Sequence, residues 1–151
     1  MAHRSGNVTA AVAAPVVAET RFRVRYAETD QMGIVYYANY LIWMEIGRVE
    51  YCRQTGISYA EMEREDGILL TVAEASCRYM APALYDQEIV VKTWIEQAHA
   101  RLVTFGYEMR STADDRKLAT GTTKHVFCGR DLRPTRLPDK YWGAFGIATR
   151  A

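Results

Sequence analysis

Thr29-Asp-Gln-Met-Gly-Ile-Val-Tyr-Tyr-Ala-Asn-Tyr40 is the stretch on which the reading of the whole chain turns. It sets one acid, Asp30, in a turn, with Gly33 following three residues later. Aromatics then lead into a segment, Tyr37 to Thr55, that carries no turn signal and meets Gly56 as a stop. A carboxylate just ahead of a helix start is a layout in which chemistry is possible. The helix end offers free backbone N–H groups to a developing negative charge, while the carboxylate attacks or takes a proton. Taken alone, such an aspartate is more often a turn or capping residue, and Gly33 a turn glycine. The two readings of Gly33 are compatible, because close approach of a ligand to the backbone needs that turn.

Working outward, Arg21–Ala27 alternates Phe22, Val24 and Tyr26 with three arginines, as a half-buried strand does. Laid out at about 100° per residue, the helix puts Asn39, Glu50, Arg53 and Gln54 on a wet side. Tyr40, Leu41, Met44, Tyr51 and Cys52 lie opposite. Glu45 and Arg48 fall among the apolar group at a spacing that lets them pair, and a buried structural ion pair is the preferred reading over catalysis. Trp43 and Ile46 turn toward the wet side, which hints at a second buried interface. Ser58–Asp66 forms a short helix ended by Gly67. Strand-like runs follow over Ile68–Met80, Gln87–Ile95, Arg101–Arg110 and Lys117–Cys128. Turns are expected near Ala83–Asp86, Gln97–Ala100 and Ser111–Asp115, and a short helix from Pro138. A strand, a long helix and then a run of strands predict an α+β fold with an antiparallel sheet.

At 151 residues, 49% apolar and 25% charged, the chain has the composition of one globular domain. Its net charge of +1 gives no global reason to expect nucleic acid, so any anion site must be local. Cys52, Cys77 and Cys128 are too scattered for a disulfide framework or a zinc site, read best as core residues, and fit a reducing, cytoplasmic setting. No segment is long and apolar enough to span a membrane. Residues 1–19, small and Ala/Val-rich but interrupted by Pro15, read as a disordered extension in preference to a secretory leader.

The same stretch taken from Glu28, Glu28-Thr-Asp-Gln-Met-Gly-Ile-Val-Tyr-Tyr-Ala-Asn-Tyr40, resembles the signature of the 4-hydroxybenzoyl-CoA thioesterase-like family of hotdog acyl-CoA thioesterases. Similarity continues in Trp43-Met-Glu-Ile-Gly-Arg-Val-Glu50, in Arg78-Tyr-Met-Ala-Pro82 with Asp86, in Gly121-Thr-Thr-Lys-His-Val-Phe127 and in Arg133-Pro-Thr-Arg-Leu-Pro138. The resemblance covers about residues 20–146. It implies a hotdog domain over 20–151, a five-stranded antiparallel sheet wrapped around one long helix. It also implies a homodimer with joined sheets, often paired into a homotetramer, and active sites at the dimer interface. Substrates would be acyl-CoA or, in some branches, acyl-carrier-protein thioesters, and no metal or cofactor is used.

On that resemblance Asp30 is the expected catalytic group, either attacking the thioester carbonyl or acting as general base on water. The Tyr37 backbone N–H would polarise the carbonyl, with Gly33 allowing the approach. Tyr36 and Tyr40, with Trp43 and the strand around Leu70–Glu74, are candidates for the acyl pocket. Arg101 is the first candidate for the phosphates of coenzyme A, followed by Lys124, Arg130 and Arg133. Two other functions stay open. A hotdog dehydratase or hydratase acting on β-hydroxyacyl thioesters would need His99 or His125 brought to Asp30. A non-catalytic acyl-CoA binding module would leave Asp30 idle.

Overall fold

The computed structural model describes residues 16–148. Strand β1 (Ala18–Arg23) leads through a 3-10 turn to helix α1 (Asn39–Gln54) and the short α2 (Tyr59–Asp66). Strands β2 (Leu69–Tyr79), β3 (Glu88–His99), β4 (Leu102–Ser111) and β5 (Lys117–Cys128) follow, with a last 3-10 turn at Asp139–Tyr141. All pairings are antiparallel, in the order β1-β3-β4-β5-β2. This is the expected α+β hotdog architecture.

The core lies between α1 and the inner sheet face. Strand alternation puts Ile89, Val91 and Thr93 of β3 inward, beside Val103, Phe105, Tyr107 and Met109 of β4, all buried. α1 rests on β3 through Gly47, where an added Cβ would lie 2.5 Å from Thr93 Oγ1 and 2.9 Å from Val91 Cγ1. α1 ends where Gly56 takes φ 83° and the Ile57 N–H closes back on the Cys52 carbonyl at 2.7 Å.

Several expectations are corrected. β1 begins at Ala18, inside the segment read as an extension, and stops at Arg23 instead of running to Ala27. There the Glu28 carboxylate takes the Arg25 N–H at 2.8 Å and turns the chain. Residues 1–15, the rest of that expected extension, lie outside the described residues. β3 runs past Ile95 to His99 because a bulge between Ile95 and Gln97 restores pairing with β4. The turn therefore tightens from Gln97–Ala100 to Ala100–Arg101. The C-terminal helix is a single 3-10 turn, tied back by Asp66, which pairs with Lys140 at 2.7 Å and accepts from the Tyr141 hydroxyl.

On α1, Trp43 is fully buried and Leu41 is 43% exposed, the reverse of the expected faces. A buried acceptor accounts for Trp43: its indole N–H donates to Glu28 Oε2 at 2.7 Å, which removes the usual polar cost of burying tryptophan. Glu45 and Arg48 form no ion pair. Glu45 is exposed, and Arg48 turns inward to donate to the Tyr107 hydroxyl at 3.3 Å.

Candidate active site

The loop before α1 is a small hairpin built around Asp30. The Asp30 N–H donates to the Ile34 carbonyl and the Gly33 N–H to the Asp30 carbonyl, both at 2.9 Å. Gly33 closes the turn at φ 78°, a conformation costly for any residue with a Cβ. Asp30 Oδ1 accepts the Met32 N–H at 2.8 Å. Among the described residues, its other carboxylate oxygen has no hydrogen-bond partner, and no basic side chain lies within salt-bridge distance of either oxygen.

The hairpin is anchored from below by Glu28. Its carbonyl accepts from the Tyr36 N–H and from Asn39 Nδ2, both at 2.9 Å, while its carboxylate holds Trp43. The loop is thereby fixed to the first turn of α1. That turn carries no side-chain cap, since Ala38 occupies the N-cap position. Among the described residues, the N–H groups of Tyr37 and Ala38 have no acceptor. They stand at the positive end of a sixteen-residue helix.

Asp30 and Tyr37 line one cavity of ≈ 360 Å³. Its other walls are mostly apolar: Ile34 and Val35 from the hairpin, Tyr40 from α1, and Met80 and Pro82 beyond β2. Tyr40 is a fixed wall, buried, with its hydroxyl accepting the Ala83 N–H at 3.2 Å. The Tyr79 ring stands edge-on to Tyr37 and Tyr40, with centroids at 6.4 and 5.0 Å. Its hydroxyl donates to the Tyr37 carbonyl at 2.9 Å.

Of the residues expected at a site, Asp30, Gly33, Tyr37 and Tyr40 come together. Tyr36 is exposed and packs on Tyr37 at 4.7 Å, outside the cavity. Arg101 lies at the other end of the sheet, in the β3–β4 turn, beside a separate hollow with Arg136 and Trp142. Lys124 is on the outer face of β5, opposite Glu74. Trp43 is core behind Tyr40, and Leu70 belongs to a different hollow, under Arg48 and Tyr59. Glu28 and Tyr79 were missed as site residues. The signal for Tyr79 was present as an aromatic at a strand end, three residues before Pro82.

Of the histidines among the described residues, neither His99 nor His125 lines the Asp30 cavity. His99 sits at the far end of β3. His125 is sealed in the core, with Nε2 on the Thr123 hydroxyl at 2.7 Å. Burial, and next the nearby Arg48 charge, push it down to about 3, so it is neutral at physiological pH. Burial pushes the Cys52 thiol up to about 11, which makes it inert.

The model of the thioesterase-like superfamily matches residues 24–145. The chain belongs to that superfamily. Among proteins similar to this thioesterase-like chain is YneP of Bacillus subtilis, provisionally named an acyl-CoA thioesterase. It is 40% identical over 110 residues, covering 73% of this chain and 78% of YneP. The acyl-CoA thioesterase YbgC of Haemophilus influenzae is 29% identical over 126 residues, covering 82% of this chain and 90% of YbgC. Among solved structures, a DHNA-CoA thioesterase from Staphylococcus aureus superposes with a TM-score of 0.79 at 33% identity, covering 86% of each chain. In this thioesterase-like site the chemical means are a carboxylate with one unbonded oxygen and a helix start with unbonded N–H groups. The walls around them are mostly apolar, so a bound substrate that displaces water there strengthens both.

Proposed function

We propose that the chain hydrolyses acyl-CoA thioesters to the free acid and coenzyme A, working as a homodimer that can pair into a homotetramer. One juxtaposition carries the reading: Asp30, with one carboxylate oxygen unbonded, and Tyr37, with its N–H unbonded at the α1 start, line one mostly apolar cavity. The named activities of YneP and YbgC support the same class of substrate.

The reaction follows from the parts. The thioester carbonyl lies against the Tyr37 N–H, and the helix end offsets the charge that develops on its oxygen. Asp30 attacks the carbonyl carbon, the tetrahedral oxyanion collapses, and coenzyme A leaves as its thiolate. Water then cleaves the mixed anhydride and regenerates the carboxylate. In the alternative, Asp30 takes a proton from the attacking water and no anhydride forms. Thiolate is a good leaving group, so neither route needs a Ser–His pair. Tyr40 contacts the acyl end of the substrate.

The second copy supplies what one chain lacks. β2 is an eleven-residue edge strand with its outer edge unpaired among the described residues, and α1 adds the exposed apolar residues Leu41, Ile42 and Ile46. Antiparallel pairing of β2 with its copy turns the second chain end for end. Arg101 of the second copy then approaches the Tyr79 end of the first, where it and Lys124 hold the phosphates of coenzyme A. The free cysteines fit a cytoplasmic setting.

The test is thiol release from a panel of acyl-CoAs. Asp30→Asn removes nearly all turnover, whereas Tyr37→Phe, which keeps the backbone N–H, retains most of it. Near-wild-type turnover in Asp30→Asn refutes the mechanism. Hydroxylamine added during a single turnover separates the two routes: attack by Asp30 leaves an anhydride that it captures, converting the Asp30 carboxyl or the acyl group to a hydroxamate faster than it converts the thioester itself, whereas general-base catalysis offers no anhydride to capture.

A further inference from the structure

We infer that Tyr79 is a positioning residue for this hydrolysis, acting through the peptide that joins Tyr37 to Ala38. The inference rests on the thioesterase reading above and adds a residue to it. Its hydroxyl donates to the Tyr37 carbonyl oxygen at 2.9 Å, across a sequence separation of 42 residues. The other hydrogen bond to that oxygen comes from the Tyr40 N–H and is longer, 3.3 Å.

A trans peptide is planar, so the direction of its C=O fixes the direction of its N–H. By holding the Tyr37 oxygen, Tyr79 sets where the Ala38 N–H points and restrains the rotation of the whole uncapped turn. A hydrogen bond to the carbonyl also polarises that peptide, which makes the Ala38 N–H a better donor, and it fixes from the other side the residue whose own N–H meets the thioester carbonyl. Pre-set donors help most at the moment charge develops, so the contribution belongs to the transition state more than to binding.

Three features fit this role better than that of a plain pocket wall. The ring, 46% exposed, stands edge-on to Tyr37 and Tyr40, which orients its hydroxyl toward the Tyr37 carbonyl. Burial, and next Cys77, push its ionisation up to about 12, so the hydroxyl remains a donor throughout the neutral range. Tyr79 is also the last residue of β2, and it is the hydrogen-bonded link from that edge strand to the helix start.

The experiment compares wild type with Tyr79→Phe, which keeps the ring and deletes one oxygen. Steady-state thiol release gives kcat and KM, and a non-hydrolysable thioether analogue of acyl-CoA gives Kd. Tyr85→Phe, an exposed tyrosine outside the cavity, is the control. In Tyr79→Phe kcat is expected to fall about 10-fold, less than the roughly 100-fold or more lost when an oxyanion donor itself is removed, because the backbone N–H groups remain. KM and the analogue Kd should stay within about twofold of wild type, because the lost interaction acts only in the transition state. A kcat within about twofold of wild type overturns the inference alone. So does a rise in KM or Kd at constant kcat, which would make Tyr79 a binding wall. A wild-type protein that releases no thiol from any acyl-CoA overturns both the inference and the reading beneath it.

Discussion

Gly47→Ala should destabilise the protein, although the same change in an exposed helix stabilises it. Alanine is favoured over glycine in a helix interior by about 1 kcal/mol. Here the new methyl would sit 2.5 Å from Thr93 Oγ1 and 2.9 Å from Val91 Cγ1, both on the buried inner face of β3. Neither atom is the tip of a flexible chain, so α1 or β3 must move, at an overpacking cost of about 1–3 kcal/mol. With two close contacts the upper half of that range applies, leaving a net loss of about 1–2 kcal/mol after the propensity gain. For a chain of this size that is a drop in Tm of about 2–8 °C. The assay is urea and thermal unfolding at fixed protein concentration, because an oligomer shifts its own midpoint. Thr93→Ala provides the internal check. It removes the nearer clashing atom and a buried hydroxyl that has no partner among the described residues. On that background Gly47→Ala should cost about 1 kcal/mol less than in wild type. If Gly47→Ala raises stability by about 1 kcal/mol, the close approach of α1 to the sheet is wrong.

Two further perturbations probe the loop and the core. Glu28→Ala should cost about 2–3 kcal/mol, since it strands the buried Trp43 N–H and frees the Arg25 N–H; Glu28→Gln, which keeps one acceptor oxygen, should recover part of that, and equal unfolding midpoints for the two variants would refute the assignment. His125 is pushed down to about 3 in the folded protein from an ordinary 6.5, so between those values the unfolded chain binds a proton that the folded chain does not. Stability therefore falls as pH drops below 6.5, by about 1.4 kcal/mol per unit from this group, and His125→Gln should flatten that slope between pH 6.5 and 5; parallel curves for the two proteins would count against it.

The elements were legible because their signals are local. β5 runs from Lys117 to Cys128 as its pattern predicts, and α2 is bracketed by Ser58, whose hydroxyl caps Glu61, and by Gly67. What sequence could not reach were choices made by distant partners. Trp43 reads as misplaced on a helical wheel until Glu28, fifteen residues away, is found beneath it. Arg48 reads as the partner of Glu45 until Tyr107 from β4 offers it a hydroxyl. In the site, Asp30 and Gly33 were visible because a turn aspartate and a turn glycine form a local unit. Tyr79 was not, because its role depends on where β2 ends relative to the α1 start. Arg101 qualifies by charge and turn position, yet one chain leaves it at the opposite end of the sheet from Asp30.

The start of α1 shows how stability and function are balanced in this fold. A Ser, Thr, Asp or Asn at the N-cap stabilises a helix by about 0.5–2 kcal/mol over alanine, by occupying one of its first N–H groups. This chain has Ala38 there. A capping side chain at 38 would accept from the Tyr40 or Leu41 N–H, which here donate to the Tyr37 and Ala38 carbonyls at 3.3 and 3.2 Å, and would stand beside the free Tyr37 and Ala38 N–H groups. With the cap absent, the turn must be held from its other side, through groups that leave the N–H face open. The contacts observed are of that kind. Asn39 reaches back to the Glu28 carbonyl, Glu28 clamps Trp43 one turn further on, and Tyr79 takes the Tyr37 carbonyl. Each of them grips the loop or the helix without using the Tyr37 or Ala38 N–H. Ala38→Asp should therefore stabilise the helix start through the Tyr40 or Leu41 N–H while lowering kcat in the thiol-release assay, because its carboxylate sets a negative charge beside the N–H groups that must meet the developing oxyanion, and an unchanged kcat would count against this.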